Sequence, residues 1–280
     1  ARLHMSPVVS TWVRAKDPLE DARKLCQRHG LALRIVVSAS RTGRMAERYP
    51  ELTARNVFGA ESSSTLCLAH PDVQAYLVAL LGNLQAAYAP AAIVLTDFRL
   101  GWPEAYSDAL QTPVPLDDRA REALSVCFCE ACRKDAKENG VDVDLARNAA
   151  ADVVTRSWEA SEAPPTARAA LDAFRRRESP TCGALWERLT SACGASLIID
   201  QGDARTSPVA TPSIVAMKCA ESLPEIAEAC RGPWELRLAA DWTLGDKGPA
   251  LVRLLADAAE RGASGATIDN LGLLPDAGIK

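Results

Sequence analysis

The chain has 280 residues, 48% of them hydrophobic and 24% charged, which is typical of a folded globular protein and excludes a chain that is disordered throughout. With 32 basic and 36 acidic residues the net charge is -4, and the absence of a long basic block argues against a nucleic-acid partner. No segment approaches the roughly 20 continuous apolar residues of a membrane-spanning helix, so we expect a cytoplasmic protein that does not contact a membrane.

The first third of the chain alternates short apolar runs with amphipathic helical stretches. Strands are predicted near residues 2 to 8, 32 to 38 and 92 to 98, the last from the run "AAIVLTDF". A helix with an Asp-Pro start follows the first strand, because Asp caps a helix and Pro suits its first turn. The segment from 41 to 66 is predicted to be irregular, and the helix that begins at "HPDV" follows it.

The second half continues the alternation of helices and strands. Four more strands are predicted, near residues 196 to 200, 213 to 219, 235 to 240 and 265 to 269. Repeated βα units indicate a parallel sheet covered by helices. The total of seven candidate strands favours an α/β fold, a (β/α)8 TIM barrel, with one N-terminal strand missing from the given chain.

We expect residues 1 to 280 to form a single barrel domain with loop insertions near 41 to 66 and 101 to 140. An open, doubly wound sheet is the alternative, but such sheets carry a Gly-rich phosphate loop after the first strand. Neither GxGxxG nor GxxxxGK[ST] occurs in the sequence. We therefore expect no dinucleotide or P-loop site and no organic cofactor.

The strand ends supply the candidate catalytic residues, because functional groups of a (β/α) barrel lie at the C-terminal ends of its strands. Asp97 follows the run "AAIVLT" directly, and Arg99 and Trp102 leave the same strand. We predict Asp97 as the central acid, either nucleophile or substrate anchor, with Arg99 orienting it or a sugar hydroxyl. The candidates for the proton donor are Asp241 and Glu221.

Carboxylates and indoles near the strand ends and in the neighbouring loops form the predicted sugar-binding set. Its members are Arg99, Trp102, Trp158, Asp200, Trp242, Asp269 and Asn270. Indole faces cover the apolar C–H patches of a sugar ring, and two carboxylates at the right separation can hydrolyse a glycosidic bond. The pattern indicates a glycoside hydrolase or a carbohydrate-binding barrel, although each Asp is equally suited to cap a helix or start a turn.

Lys218, near the end of "SIVAMKC", supports an alternative from another reaction class. A lysine that points into an apolar barrel loses its proton more easily and can form a Schiff base with a carbonyl substrate, as in aldolases. Strand alternation does not fix the direction of Lys218, and a surface or ion-paired lysine is the more common case. A non-catalytic sugar-binding or scaffold barrel is the remaining alternative.

Cys127, Cys129 and Cys132 stand in a CxCxxC pattern ahead of a charged helical run. A turn before a helix lets three sulfurs converge, and a tetrahedral zinc site would need a fourth ligand from Cys67, His70 or a water molecule. Packed free thiols or a redox disulfide fit the same spacing, whereas a catalytic cysteine lacks a nearby base. The odd total of 9 cysteines favours reduced thiols over a disulfide framework.

The segments "TLCLAHPDVQAYLVALLGNLQAAYAPAAIVLTDFRLGW" and "CFCEACRKDAKENGVD" together resemble a pattern of (β/α)-barrel glycoside hydrolases. Its elements are a Cys ahead of a helix that starts with Pro, a strand that ends in an acidic motif, and a C[FY]CxxC segment. The resemblance covers residues 65 to 141, and the rest of the chain shares only the βα rhythm.

The chain is also distantly similar to the family 42 β-galactosidases through this cysteine segment. That similarity implies a structural zinc held by Cys67, Cys127, Cys129 and Cys132, and a carbohydrate substrate. In those enzymes the strand before the cysteine segment ends in an Asn-Glu pair that supplies the acid/base, whereas this chain has Thr-Asp ending at Asp97. The late strands offer Asp in place of the second catalytic Glu.

Overall fold

The structure is a computed structural model that describes residues 4–7, 17–106, 116–156, 165–193, 197–200, 213–216, 234–239, 253 and 256–269. The strands are β1 (Arg34–Ser38), β2 (Thr53–Arg55), β3 (Glu61–Leu66), β4 (Ala92–Thr96), β5 (Leu197–Asp200), β6 (Ser213–Ala216), β7 (Trp234–Ala239) and β8 (Ala263–Asp269). The α-helices are α1 (Pro18–Arg28), α2 (Gly43–Arg48), α3 (Pro71–Tyr88), α4 (Asp118–Ser125), α5 (Glu130–Glu138), α6 (Val143–Thr155), α7 (Pro165–Arg176) and α8 (Glu178–Cys193). Short 3-10 helices span Pro50–Leu52 and Pro103–Tyr106.

Six of the strands form one parallel sheet in the order β1-β4-β5-β6-β7-β8. Apart from the separate β2–β3 hairpin, the order in space is the order along the chain. A doubly wound sheet reverses its order at a switch point, and the strands in the described ranges contain no such reversal. The sheet therefore has the order expected of a (β/α) barrel wall, although no pairing of β8 with β1 is recorded within those ranges.

The predicted strands are largely confirmed. Those near 32 to 38 and 92 to 98 are β1 and β4, and the four later predictions correspond to β5, β6, β7 and β8. The first predicted strand, near 2 to 8, lies partly outside the described residues, and residues 4–7 belong to no sheet. The helix with the Asp-Pro start is α1, whose N-cap Asp17 accepts a hydrogen bond from the Glu20 amide.

The segment from 41 to 66 differs from the prediction, because it contains α2 and the antiparallel β2–β3 hairpin. The sequence of β3, "ESSSTL", is mostly serine and threonine and lacks the apolar alternation that marks a strand. Tertiary pairing supplies what local propensity does not. Arg41 and Thr65 form an isolated antiparallel bridge, and the Leu66 amide donates to the Ser40 carbonyl at 2.9 Å.

One face of the sheet is covered by α3 and α8, which contact each other. Ile93, Leu95 and Ile199 are fully buried on this face. They belong to the same buried cluster as Leu77 of α3 and Leu189 of α8. Each fully buried aliphatic side chain contributes about 1.5–3 kcal/mol to folding, so this layer holds β4 and β5 firmly. None of the helices within the described ranges is long and apolar enough to cross a membrane.

The sheet curves strongly. The evidence for the curvature is an ion pair between the N-terminal ends of two strands that are not neighbours in the sheet. Arg34 on β1 places Nη1 2.7 Å from Oε2 of Glu235 on β7, although three strands separate β1 from β7 in the sheet. Gly265 on β8 leaves room for this carboxylate, since a Cβ atom there would lie 3.3 Å from the Glu235 side chain. The contact requires a curled sheet, because a flat one would hold these strands far apart.

A double-mutant cycle tests the curvature. The Glu235 side chain is 11% exposed and that of Arg34 is 47% exposed, so we expect a coupling of about 0.5–1 kcal/mol between Arg34→Ala and Glu235→Ala. The measurement is the free energy of unfolding in urea. The pair Arg55 and Glu61, with the same 2.7 Å separation but greater exposure of Glu61, is the matched control and should couple more weakly. Zero coupling between Arg34 and Glu235 would contradict the curled sheet.

Candidate functional site

Asp97 follows β4 directly, and its backbone adopts the left-handed conformation with φ 55. A residue with a Cβ atom is disfavoured there by about 1–2 kcal/mol. Two donors hold the Asp97 carbonyl in place: the hydroxyl of the buried Ser40 at 2.7 Å and the amide of Arg99 at 3.0 Å. The next residue, Phe98, is buried against the Trp186 ring of α8. The surroundings therefore fix this unfavourable conformation.

The Asp97 carboxylate is oriented by hydroxyl groups from two neighbouring strands. Ser38, the last residue of β1, donates to Oδ2 at 2.9 Å, and Thr96, the last residue of β4, donates to the same oxygen at 3.0 Å. Ser38 and Thr96 are register partners in the sheet. The Ser38 hydroxyl itself accepts from the Arg41 amide at 3.1 Å, which directs its proton toward Asp97. Residues at the ends of β1 and β4 therefore fix the orientation of the Asp97 carboxylate.

Two other predicted acidic residues stand at the ends of strands in the same sheet. Leu95 and Ile199 are register partners, so Asp200, the last residue of β5, ends its strand beside the Thr96 end of β4. Asp269 is the last residue of β8. The structure therefore brings Asp97, Asp200 and Asp269 to the C-terminal ends of strands in one sheet, as the sequence predicts for a barrel mouth.

The segment after Asp97 runs into the core. Trp102 is 6% exposed and belongs to the main buried cluster, and its amide donates to the Ser125 carbonyl at 2.6 Å. Gly101 has φ 145, and a Cβ atom there would lie 3.1 Å from the same carbonyl, so only glycine permits this approach. Arg99 stays exposed. No described residue bonds to the Trp102 indole nitrogen.

Glu178 is a residue near the site that the sequence did not indicate. It begins α8, and its Oε1 accepts a hydrogen bond from the Leu100 amide at 2.9 Å. Burial raises the pKa of the Glu178 carboxyl, while the Leu100 amide and the guanidinium of Arg99 act in the opposite direction. The sequence signal is a glutamate in the first turn of a helix, which usually points to a dipole interaction and not to a distant loop.

Several predicted residues lie outside the described part of the chain. They are Trp158, Lys218, Glu221, Asp241, Trp242 and Asn270. Their assigned roles, including the two candidate proton donors and the Schiff-base lysine, stay predictions.

Four cysteine sulfurs converge at a second site. The Sγ atoms of Cys67, Cys127, Cys129 and Cys132 all lie within 4.8 Å of one another, and all four residues are buried. The Sγ atoms of Cys67 and Cys132 are 3.4 Å apart, and those of Cys67 and Cys127 are 3.8 Å apart. Four sulfurs at ~2.3 Å from a tetrahedral zinc would be separated by ~3.8 Å. The cluster therefore has the size and donor set of a tetrathiolate metal site.

The protonation of these thiols also favours a cation. Hydrogen bonds from Cys127, Cys132 and Cys67, together with the Cys132 amide, hold the pKa of Cys129 far below its usual range. The neighbouring sulfurs and burial raise the pKa of Cys67 well above its usual value. Cys129 is therefore the thiol that loses its proton most readily. A divalent metal that binds the cluster would displace protons from its thiols.

Two separate segments supply the cysteines. Cys67 follows β3. Cys127 and Cys129 stand between α4 and α5, with Cys129 as the N-cap of α5, and Cys132 lies in the first turn of α5. Two hydrogen bonds join the segments: the Arg55 amide donates to Cys127 Sγ at 3.4 Å, and the Phe128 amide donates to the Arg55 carbonyl at 2.7 Å. His70, the other predicted fourth ligand, caps α3 through its bond from the Asp72 amide.

Several solved structures that this chain resembles are glycoside hydrolases. The PgaB (BpsB) glycoside hydrolase domain from Bordetella bronchiseptica matches with a TM-score of 0.56 and 13% identity over 95% of this chain and 76% of that chain. The catalytic domain of beta-amylase from Paenibacillus polymyxa matches with a TM-score of 0.54 and 10% identity over 92% and 81%. Alpha-L-fucosidase isoenzyme 2 from Paenibacillus thiaminolyticus matches with a TM-score of 0.51 and 13% identity, and this chain covers 37% of that chain.

Because the sequence identities are only 10–13%, the similarity to these structures shows the fold alone. Comparison with protein-family models and with curated proteins finds no match. The predicted glycoside hydrolase-like fold is confirmed, and the neighbours are TIM-barrel enzymes, whereas the narrower similarity to family 42 stays a prediction.

The raised pKa of Glu178 predicts a dependence of stability on pH. The folded state binds this proton more tightly than the unfolded state, so its contribution to the free energy of unfolding is present at low pH and is lost as the pH rises through the folded pKa. Glu178→Gln removes the ionisation but keeps an acceptor for the Leu100 amide. We expect the variant to gain stability relative to the wild type as the pH of the measurement is raised from about 4, near the ordinary pKa of glutamate, into the neutral range.

The measurement is the urea midpoint of both proteins across this pH range. Glu187→Gln, on the same helix, is the control and should follow the wild type. A stability difference for Glu178→Gln that does not change with pH would contradict the raised pKa.

Proposed function

We propose that the chain is a glycoside hydrolase whose catalytic carboxylates lie at the C-terminal ends of the barrel strands, with Asp97 at the centre. The observation that carries the proposal is the left-handed backbone of Asp97, which hydrogen bonds from Ser40 and Arg99 maintain at a position where glycine would be easier. Strained residues of this kind cluster at functional sites. The glycoside hydrolase neighbours support a carbohydrate as the substrate.

Asp97 acts as nucleophile or substrate anchor in this proposal. Its two hydroxyl bonds, from Ser38 and Thr96, both reach Oδ2 and fix the direction of the carboxyl group. Positioning of this kind lowers the entropy of reaching the transition state. Asp241 and Glu221 remain the proposed proton donors, and a separation of about 5–5.5 Å from Asp97 would favour retention, whereas about 6.5–9.5 Å would favour inversion.

We further propose that the four cysteines bind one structural Zn2+. All four ligands come from the protein and are buried, which leaves no open position for substrate or water. The metal would join the β2–β3 hairpin to the segment between α4 and α5. A reducing compartment such as the cytoplasm suits four thiolate ligands.

Asp97→Asn tests the catalytic proposal. Asn tolerates the left-handed conformation and its Oδ1 still accepts the bonds from Ser38 and Thr96, so we expect the melting temperature to stay within about 2 °C of the wild type. The loss of the carboxylate should lower kcat by at least about 10²-fold. The measurement is the release of sugar from a panel of aryl glycosides and oligosaccharides.

Asp142→Asn is the matched control, because Asp142 caps α6 and Asn caps equally well. Wild-type turnover in Asp97→Asn would exclude Asp97 from catalysis. A wild-type protein that binds oligosaccharides but cleaves none of the panel would favour the non-catalytic sugar-binding barrel instead.

Metal analysis tests the second proposal. We expect one zinc per purified wild-type chain and less than half of that in Cys129→Ser, because three sulfurs hold the ion less tightly than four. Removal of zinc with a chelator should lower the wild-type melting temperature by roughly 5–10 °C, since the metal binds the folded state alone.

Cys26→Ser is the control, because Cys26 lies on α1, outside the cluster, and should keep the full metal content. Equal zinc in Cys129→Ser and the wild type would show that the ion is bound elsewhere.

A further inference from the structure

Arg177 lies at the junction of α7 and α8 and is 7% exposed. Charged side chains are rarely this deeply buried unless they are paired, because removing a charge from water costs several kcal/mol. In the sequence Arg177 is one of three consecutive arginines, but its neighbours Arg175 and Arg176 are both exposed. Its burial therefore requires a specific set of partners.

The guanidinium of Arg177 touches the cysteine segment on several sides. Nη2 donates to the Cys127 carbonyl at 3.3 Å, and Nη1 donates to Oδ2 of Asp135, on α5, at 3.3 Å. The guanidinium carbon lies 4.3 Å from the centre of the Phe174 ring. Phe174 in turn stacks at 4.5 Å on Phe128, the residue between two of the cysteines. Arg177 is thus clamped against the cluster by hydrogen bonds and by an aromatic stack.

The guanidinium lies beside the cysteine segment, with Nη2 bonded to the Cys127 carbonyl and Nη1 bonded to the Asp135 carboxylate. Within the described chain, Nε of Arg177 has no hydrogen-bond partner.

We propose that Arg177 is the charge-balancing and positioning residue of the metal centre formed by Cys67, Cys127, Cys129 and Cys132. This inference rests on the metal proposal above. Four thiolates around one divalent cation form a dianion, and a dianion in a buried site needs a nearby positive charge. Arg177 supplies that charge and also fixes the Cys127 backbone through its carbonyl, so that the metal is held by four thiolates and leaves slowly.

Arginine suits this position better than lysine. Its planar fork allows the bonds to Cys127 and Asp135 to form together while the flat face stacks on Phe174. Lysine would keep the charge but lose the fork and the stack. The two effects, charge and geometry, can therefore be separated by substitution.

The experiment compares Arg177→Gln and Arg177→Lys with the wild type at one fixed pH. The first readout is the rate at which bound Zn2+ passes to a chromophoric chelator. The second is the absorption of the Co2+-substituted proteins, whose thiolate charge-transfer intensity counts the bound sulfurs. We expect Arg177→Gln to release zinc about 10–100-fold faster, as for other residues that support metal ligands, and Arg177→Lys to fall between it and the wild type.

Arg188→Gln is the matched control: Arg188 is also on α8 and bonds to Gln74 at 2.7 Å, but it is exposed, so its release rate should equal that of the wild type. If Arg177→Gln does not fold, Arg177→Lys carries the same comparison. Wild-type release rates and Co2+ spectra in the folded Arg177 variants would overturn this inference alone. A wild-type protein that binds neither Zn2+ nor Co2+ through four thiolates would overturn the metal proposal with it.

Discussion

The convergence of four buried sulfurs is the constraint on which the two insertions of the fold depend. Cys67 belongs to the insertion that follows β1, and its three partners belong to the insertion that follows β4. β3, which precedes Cys67, is mostly serine and threonine. A strand of this composition does not form on propensity alone. The cysteine cluster and the hydrogen bonds between Arg55 and the cysteine segment join the two insertions.

The joined insertions reach the candidate catalytic residue through a short series of bonds. Leu66 precedes Cys67, and its amide donates to the Ser40 carbonyl, while the Ser40 hydroxyl donates to the Asp97 carbonyl. On the other side, Arg177 contacts the cysteine segment and its neighbour Glu178 accepts the Leu100 amide. The loop that carries Asp97 is therefore supported from one side by the segment after β1 and from the other side by the start of α8. A metal at the cysteines would stiffen this support without touching a substrate.

The sequence predicted what strong local patterns encode. The apolar runs of β1, β4 and β5 predict buried parallel strands, and the Asp-Pro start of α1 predicts its N-cap. It did not predict β3, whose order comes from pairing, or the role of Glu178, whose partner lies 78 positions away. CxCxxC spacing alone left Cys67, His70 and a water molecule as candidates for the fourth ligand, and the family resemblance selected Cys67. Long-range contacts leave no periodic trace, so pattern reasoning misses them.

The backbone and the carboxylate of Asp97 together link the structure to the proposed function. Glycine would adopt the same left-handed backbone without strain, and the bonds to the Asp97 carbonyl would survive that replacement. What glycine could not provide is the carboxylate that Ser38 and Thr96 orient at the edge of the sheet. The chain thus accepts a backbone cost of about 1–2 kcal/mol at the position where a (β/α) barrel carries its chemistry. The orientation of this carboxylate by two strands supports the proposed role of Asp97 as nucleophile or substrate anchor.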